Sequence, residues 1–175
     1  MPETEEYRPK RAEQQAISTT ETIEYIGSGP AHAGEAKAET HMKTAVRPGP
    51  SFSQKMDRLR RLSDEVVESL PRELLNGLHG GIALTERTKL HPKAEPGRPL
   101  LVLGEYCRSN QTGRHIMLYG GAILRVYGGY DDERLRAELD RIIRHELTHH
   151  WESLSGTRDL EIYDSEKLEE YRNGN

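Results

Sequence analysis

Apolar positions are scattered through the first fifty residues and then fall into clear periods. Met56, Leu59, Leu62, Val66, Val67 and Leu70 recur at helical spacing, and Ser51 or Ser53 ahead of them can cap a helix. Pro71 ends that helix, and Leu74, Leu75 and Leu78 suggest one more short helical turn before His79-Gly80-Gly81. Three stretches read as extended, 82–85, 100–106 and 115–119, separated by loops bearing Pro and Gly. Residues 122–127, set between two glycine pairs, fit a short helix or a further strand equally well. Asp131 or Asp132 then caps the longest helix, predicted to run to about Leu154 with Gly156 as its C-terminal cap. The acidic remainder from Asp159 reads as a final helix that frays.

The contrast between the two parts of the chain sets the expected domain boundary. Residues 1–50 are rich in Glu, Thr, Ala, Gly and Lys and end in a Pro-Gly-Pro-Ser run, so they offer too little apolar surface to offset their ordering entropy. A disordered N-terminal tail is expected there, with the TIEYI run at 22–26 as a lesser candidate for a short docking strand. The folding unit is expected to be 51–175. An apolar fraction of 34% and a charged fraction of 31% fit one modest core.

Charge and targeting features remove several function classes. The net charge of −4 is mixed along the chain with no basic stripe, so nucleic acid is not an indicated partner. The N-terminus has no apolar signal region and no segment is long enough to span a bilayer, which together predict a cytoplasmic protein without a membrane partner. Cys107 is the single cysteine, so no intrachain disulfide forms; it reads as a small buried residue of a strand.

The chemistry concentrates on the long helix, in HELTHH at 145–150. Two imidazoles at i and i+4 leave one side of a helix about one turn apart and suit a single zinc ion. The glutamate between them lies beside the water that such an ion binds and is the candidate general base. At about 100° per residue, Leu135, Leu139, Ile142, Ile143, Leu147 and Leu154 form one apolar arc. Glu146 and His150 fall inside it, and His145 and His149 lie along its edge. A carboxylate facing a core requires a charge or a metal centre nearby. His150, in mid-arc, reads as a hydrogen-bonded core or supporting histidine rather than a ligand, and Trp151 as a packing residue.

These residues resemble the minimal zincin-like metallopeptidases, small bacterial proteins. The resemblance covers about residues 55–165 and includes GGIALTER at 80–87 and HIMLYGGAIL at 115–124 besides HELTHH. It implies an α+β fold in which a leading helix and a short three-stranded sheet pack on a long active-site helix. It also implies zinc as the cofactor, His145 and His149 as ligands, Glu146 as the base, and a peptide or protein as substrate.

The third ligand departs from the family pattern His-Glu-x-x-His-x-x-Gly-x-x-Asp. Glu152 stands where the glycine belongs, and Gly156 through Asp159 restores Gly-x-x-Asp four residues late, about one helical turn. Asp159 can return to the metal from a longer helix. Glu152 rivals it, because positions i, i+4 and i+7 share one helix face. Glu161 and Asp164 are outlying alternatives.

The expected function is therefore zinc-dependent hydrolysis of a peptide bond by a zinc-bound water that Glu146 activates. The alternative is a non-catalytic interaction module in which zinc only stabilises a small fold.

Overall fold

Helix α1, Phe52–Ser69, starts where the capping pattern predicts: Ser51 accepts from the Gln54 amide and the Gln54 side chain accepts from the Ser51 amide. The computed structural model describes residues 19–25, 49–157 and 159–173. The face of α1 bearing Met56, Leu59, Leu62 and Val66 is buried, as its period requires. The short turn after Pro71 is a 3-10 helix, Arg72–Leu75.

The strands are β1, Thr19–Tyr25; β2, Ile82–Thr85; β3, Lys89–Leu90; β4, Leu100–Ser109; and β5, Gly113–Tyr119. Helix α2 spans Gly120–Tyr127, so the ambiguous 122–127 stretch is helical. Helix α3 spans Asp132–Ser155 and α4 spans Asp159–Asn173. The fold is mixed α and β. β4 is the central strand: β1 pairs antiparallel along one edge, β5 and β3 pair antiparallel along the other, and β2 lies outermost, parallel to β5.

Among the described residues the sheet thus has five strands where three were expected, and two physical reasons account for the difference. β3 is a two-residue pairing, too short to leave a periodic pattern. β1 lies inside the segment expected to be a disordered tail, overlapping the TIEYI candidate; its hydrogen bonds come from the partner strand, which composition cannot report. Positions 1–18 and 26–48 of the expected tail lie outside the described residues.

The long helix follows the prediction closely. The Asp131 side chain accepts from the Arg134 amide, and Gly156 ends the helix in the left-handed conformation at φ 80°. Leu135, Leu139, Ile142, Ile143 and Leu147 are buried, but Leu154, assigned to the same arc, is 41% exposed because the core stops short of the last turn. On the outer side, Arg58 and Arg61 reach Asp132, and Arg136 reaches Glu65, which aligns α1 with α3. These half-exposed pairs orient the helices more than they stabilise them.

One glycine sets how closely α3 approaches the sheet. A Cβ on Gly104 of β4 would lie 2.9 Å from Ile142 Cγ2 and 3.0 Å from Glu146 Oε1, so only a hydrogen there leaves room for the glutamate. Gly104→Ala is expected to destabilise the protein by about 1–3 kcal/mol through overpacking. Urea unfolding measures this, and an unchanged midpoint would show that α3 has slack over β4.

Candidate metal centre

Helix α3 carries His145 and His149 one turn apart on the margin of its buried face, and α4 folds back across them. Their Nε2 atoms are 3.1 Å apart. Oδ2 of Asp164, from the second turn of α4, lies 2.9 Å from His149 Nε2 and 3.4 Å from His145 Nε2. Among the described residues, these three form a group of donors able to hold one metal ion.

The dimensions test the fit. With zinc to nitrogen or oxygen distances of ~2.0–2.1 Å, ligand atoms at tetrahedral corners lie ~3.3–3.4 Å apart. The longest observed edge, 3.4 Å, matches that value, and the other two, 3.1 and 2.9 Å, are shorter. Moreover, two Nε2 lone pairs facing each other at 3.1 Å repel unless a proton or cation lies between them. The Asp164 Oδ2 atom is buried and aimed at both rings. Two neutral imidazoles and one carboxylate are also a donor set that zinc accepts. The residues therefore fit the ion.

Asp164 takes the position for which Asp159 and Glu152 were the expected candidates. Asp159 is exposed at the start of α4. Glu152 plays a different part: its Oε1 accepts from the Leu160 amide at 2.6 Å, tying the first turn of α4 to the last turn of α3. Its Oε2 is 3.7 Å from His149 Nδ1, beyond hydrogen-bond range but close enough to bias that ring. Asp159 is the first residue of α4, and the acid that this helix brings to the histidines, Asp164, stands a little over one turn later.

The electrostatics are those of a partly desolvated cluster. Burial by itself would lower the His145 pKa, but Asp164 and the charge of Glu146 outweigh it and raise the value. Burial would raise Asp164, yet the two facing imidazoles hold its carboxyl below the usual range. Glu146 is fully buried on the sheet side of the helix, against Gly104.

His150 behaves as the supporting histidine expected of its mid-arc position. Burial lowers its pKa and keeps the ring neutral. Its Nε2 lies 2.9 Å from the Asn76 carbonyl, which can only accept, so Nε2 carries the proton and Nδ1 faces the Tyr106 hydroxyl at 3.4 Å. Trp151 donates from Nε1 to the Leu74 carbonyl and stays 40% exposed. With Leu74, Arg144, Leu147 and Thr148 it lines a shallow groove on the opposite side of α3 from the histidine pair. Cys107 lies in β4, half-buried.

Three features of the site are not legible in the chain itself. Asp164 sits among many acids of α4 and has no motif spacing from His149. Gly104 looks like an ordinary strand glycine, and the role of Glu152 depends on where α4 begins. A glycine inside a strand does signal a close backbone approach, and that hint is present in the chain.

No family model and no curated protein matches the chain. Among solved structures it is similar to a conserved hypothetical protein from Thermus thermophilus, at 33% identity over 58% of this chain and 97% of that one, with a TM-score of 0.47. The name of that protein states no activity. No described helix is long and apolar enough to cross a membrane.

Proposed function

We propose that the protein is a zinc-dependent hydrolase acting on peptide bonds of a peptide or protein substrate. The observation that carries this reading is the triangle of His145 Nε2, His149 Nε2 and Asp164 Oδ2, with edges of 2.9, 3.1 and 3.4 Å. A zinc ion held there supplies Lewis acidity, making water more acidic and a carbonyl more electrophilic. The resemblance of HELTHH and its flanking strand to minimal zincin-like metallopeptidases supports the same chemistry.

The roles of the residues follow from their placement. His145 and His149 present ring nitrogens, and Asp164 supplies the negative charge that favours a dication. Glu152 keeps α4 at the distance from α3 that brings Asp164 to the rings. Glu146, buried and one residue along from His145, accepts a proton from the attacking water on a carboxylate oxygen and later delivers it to the leaving amine. Burial against Gly104 strips water from that carboxylate and strengthens its electrostatic effect.

Among the described residues three protein donors gather here, a number that suits an open coordination position such as hydrolysis requires. Two histidines and a carboxylate also serve ferrous oxygenases. The buried base beside the pair favours hydrolysis.

Metal removal tests this reading. Protein stripped with a chelator is expected to lose hydrolysis of a library of internally quenched peptides and to recover it with one equivalent of zinc. Its melting temperature should fall at the same time, since zinc at a hundredfold over its dissociation constant adds about 2.7 kcal/mol. Hydrolysis that persists without metal would overturn the proposal.

A further inference from the structure

Helix α4 brings Asp164 to the two imidazoles, yet it has little apolar surface with which to hold itself there. Leu168 and Tyr171 are its buried side chains among the described residues, and Ile162 and Tyr163 are exposed. Leu168 and Tyr171 stand at i+4 and i+7 from Asp164, so the donor and both anchors lie along one stripe of the helix. The two anchors pack on Leu100, the first residue of β4, and on Ala94.

The end of that stripe is received by a turn. Glu95-Pro96-Gly97-Arg98 closes with a hydrogen bond of 3.0 Å from the Arg98 amide to the Glu95 carbonyl, with Gly97 at φ 79°. Proline followed by a residue of positive φ is the pattern of a type II turn, a conformation already restricted before anything packs on it. The Tyr171 hydroxyl accepts from the Glu95 amide at 3.1 Å and donates to the Arg98 carbonyl, and the Arg98 guanidinium lies 4.6 Å from the centre of the ring. One hydroxyl therefore satisfies a donor and an acceptor at the base of the turn, using both of its own hydrogen-bonding roles. Packing alone requires no hydroxyl at the end of the ring.

Near the other end of α4 the Leu160 amide donates to Glu152. Leu160 and Tyr171 are separated by about 16 Å of helix, with Asp164 about a third of the way along. A stiff helix pinned at Leu160 turns a drift of about 1 Å at Tyr171 into about 0.4 Å at Asp164, more than the ~0.2 Å latitude of a zinc–ligand distance. We infer that Tyr171 is a positioning residue of the metal centre: its hydroxyl, seated in the Glu95–Arg98 turn, fixes the angle of α4 and with it the place of the Asp164 carboxylate. The inference rests on zinc binding at this centre and is independent of hydrolysis.

Tyr171→Phe tests this in the full-length chain, because it keeps the ring and removes only the hydroxyl. Zinc affinity, measured by competition against a chromophoric chelator, is expected to fall about tenfold, the lower end of the range for groups that orient a ligand without touching the ion. The same substitution on an Asp164→Asn background is expected to change affinity by less than about twofold, since the residue through which Tyr171 acts is gone. An equal loss in both backgrounds would mark a general loosening of the fold and overturn the inference, as would an affinity unchanged by Tyr171→Phe.

Hydrogen exchange on the unsubstituted chain covers the case in which the phenylalanine disturbs folding. Coupling is reciprocal: if the seated hydroxyl strengthens zinc binding, zinc strengthens the seating by the same factor. Exchange of the Glu95 amide is therefore expected to slow about tenfold when zinc is added, against little change at the Gln54 amide, which belongs to the capping box of α1. Equal slowing at the two amides, or none at either, overturns the inference. Zinc held with the same affinity whether Tyr or Phe stands at 171 would retire Tyr171 alone and leave the hydrolase reading intact. An unsubstituted chain that binds no zinc would retire the centre and this inference together.

Discussion

Glu146→Gln is expected to leave the metal centre loaded and the chain folded while lowering hydrolysis of internally quenched peptides by about 10²–10⁴-fold, the contribution of a positioned general base. The substitution keeps nearly the same volume in the narrow space against Gly104, where Oε1 is 3.0 Å from the position of a Cβ. What it removes is the negative charge and the ability to accept a proton at pH 7. Because the side chain is fully buried, loss of that charge also relieves a desolvation penalty, so the melting temperature should hold or rise. A change in zinc content would assign Glu146 to the coordination sphere. Unimpaired hydrolysis would remove it from the mechanism altogether.

The second large effect separates the acids of the α3–α4 turn. Asp164→Asn should weaken zinc binding by more than the 10–100-fold typical of outer partners, because it removes the charged donor itself. Glu152→Gln should fall within that 10–100-fold range, since the side chain holds α4 in place through the Leu160 amide rather than touching the ion. Asp159→Asn, an exposed substitution, should change affinity by no more than about twofold. Competition against a chromophoric chelator orders the three. A dominant loss at Asp159 or Glu152 would show that α4 sits differently once metal is bound.

Much of this architecture follows from local rules. The boundaries of α1 and α3 could be read from Ser51 with Gln54, from Asp131 and from Gly156, because capping is a contest among neighbouring backbone groups and is settled within a few residues. His145 and His149 converge because helix geometry alone places i and i+4 on one side. His150 could be assigned to the interior by its place in the apolar arc, and it lies there between Asn76 and Tyr106.

The expectations that failed are those in which two distant segments meet. β1 is held by the backbone of β4, more than seventy positions away in the chain, and leaves little trace in its own composition. Leu154 had the right period for the core, but the core ends before it.

By itself, then, the sequence determined helices α1 and α3 with their approximate ends and the pair of imidazoles with a glutamate between them, since each depends on interactions within about one turn of helix, while it left 122–127 open between helix and strand. Only the tertiary structure decided that Asp164 comes to lie against the two imidazoles, that Glu152 accepts from the Leu160 amide of α4, and that Gly104 yields its place to Glu146. Those outcomes rest on the angle at which α4 returns over α3 and on the distance between α3 and β4. Both are set by the packing of side chains far apart in the chain, and no spacing along one segment encodes them.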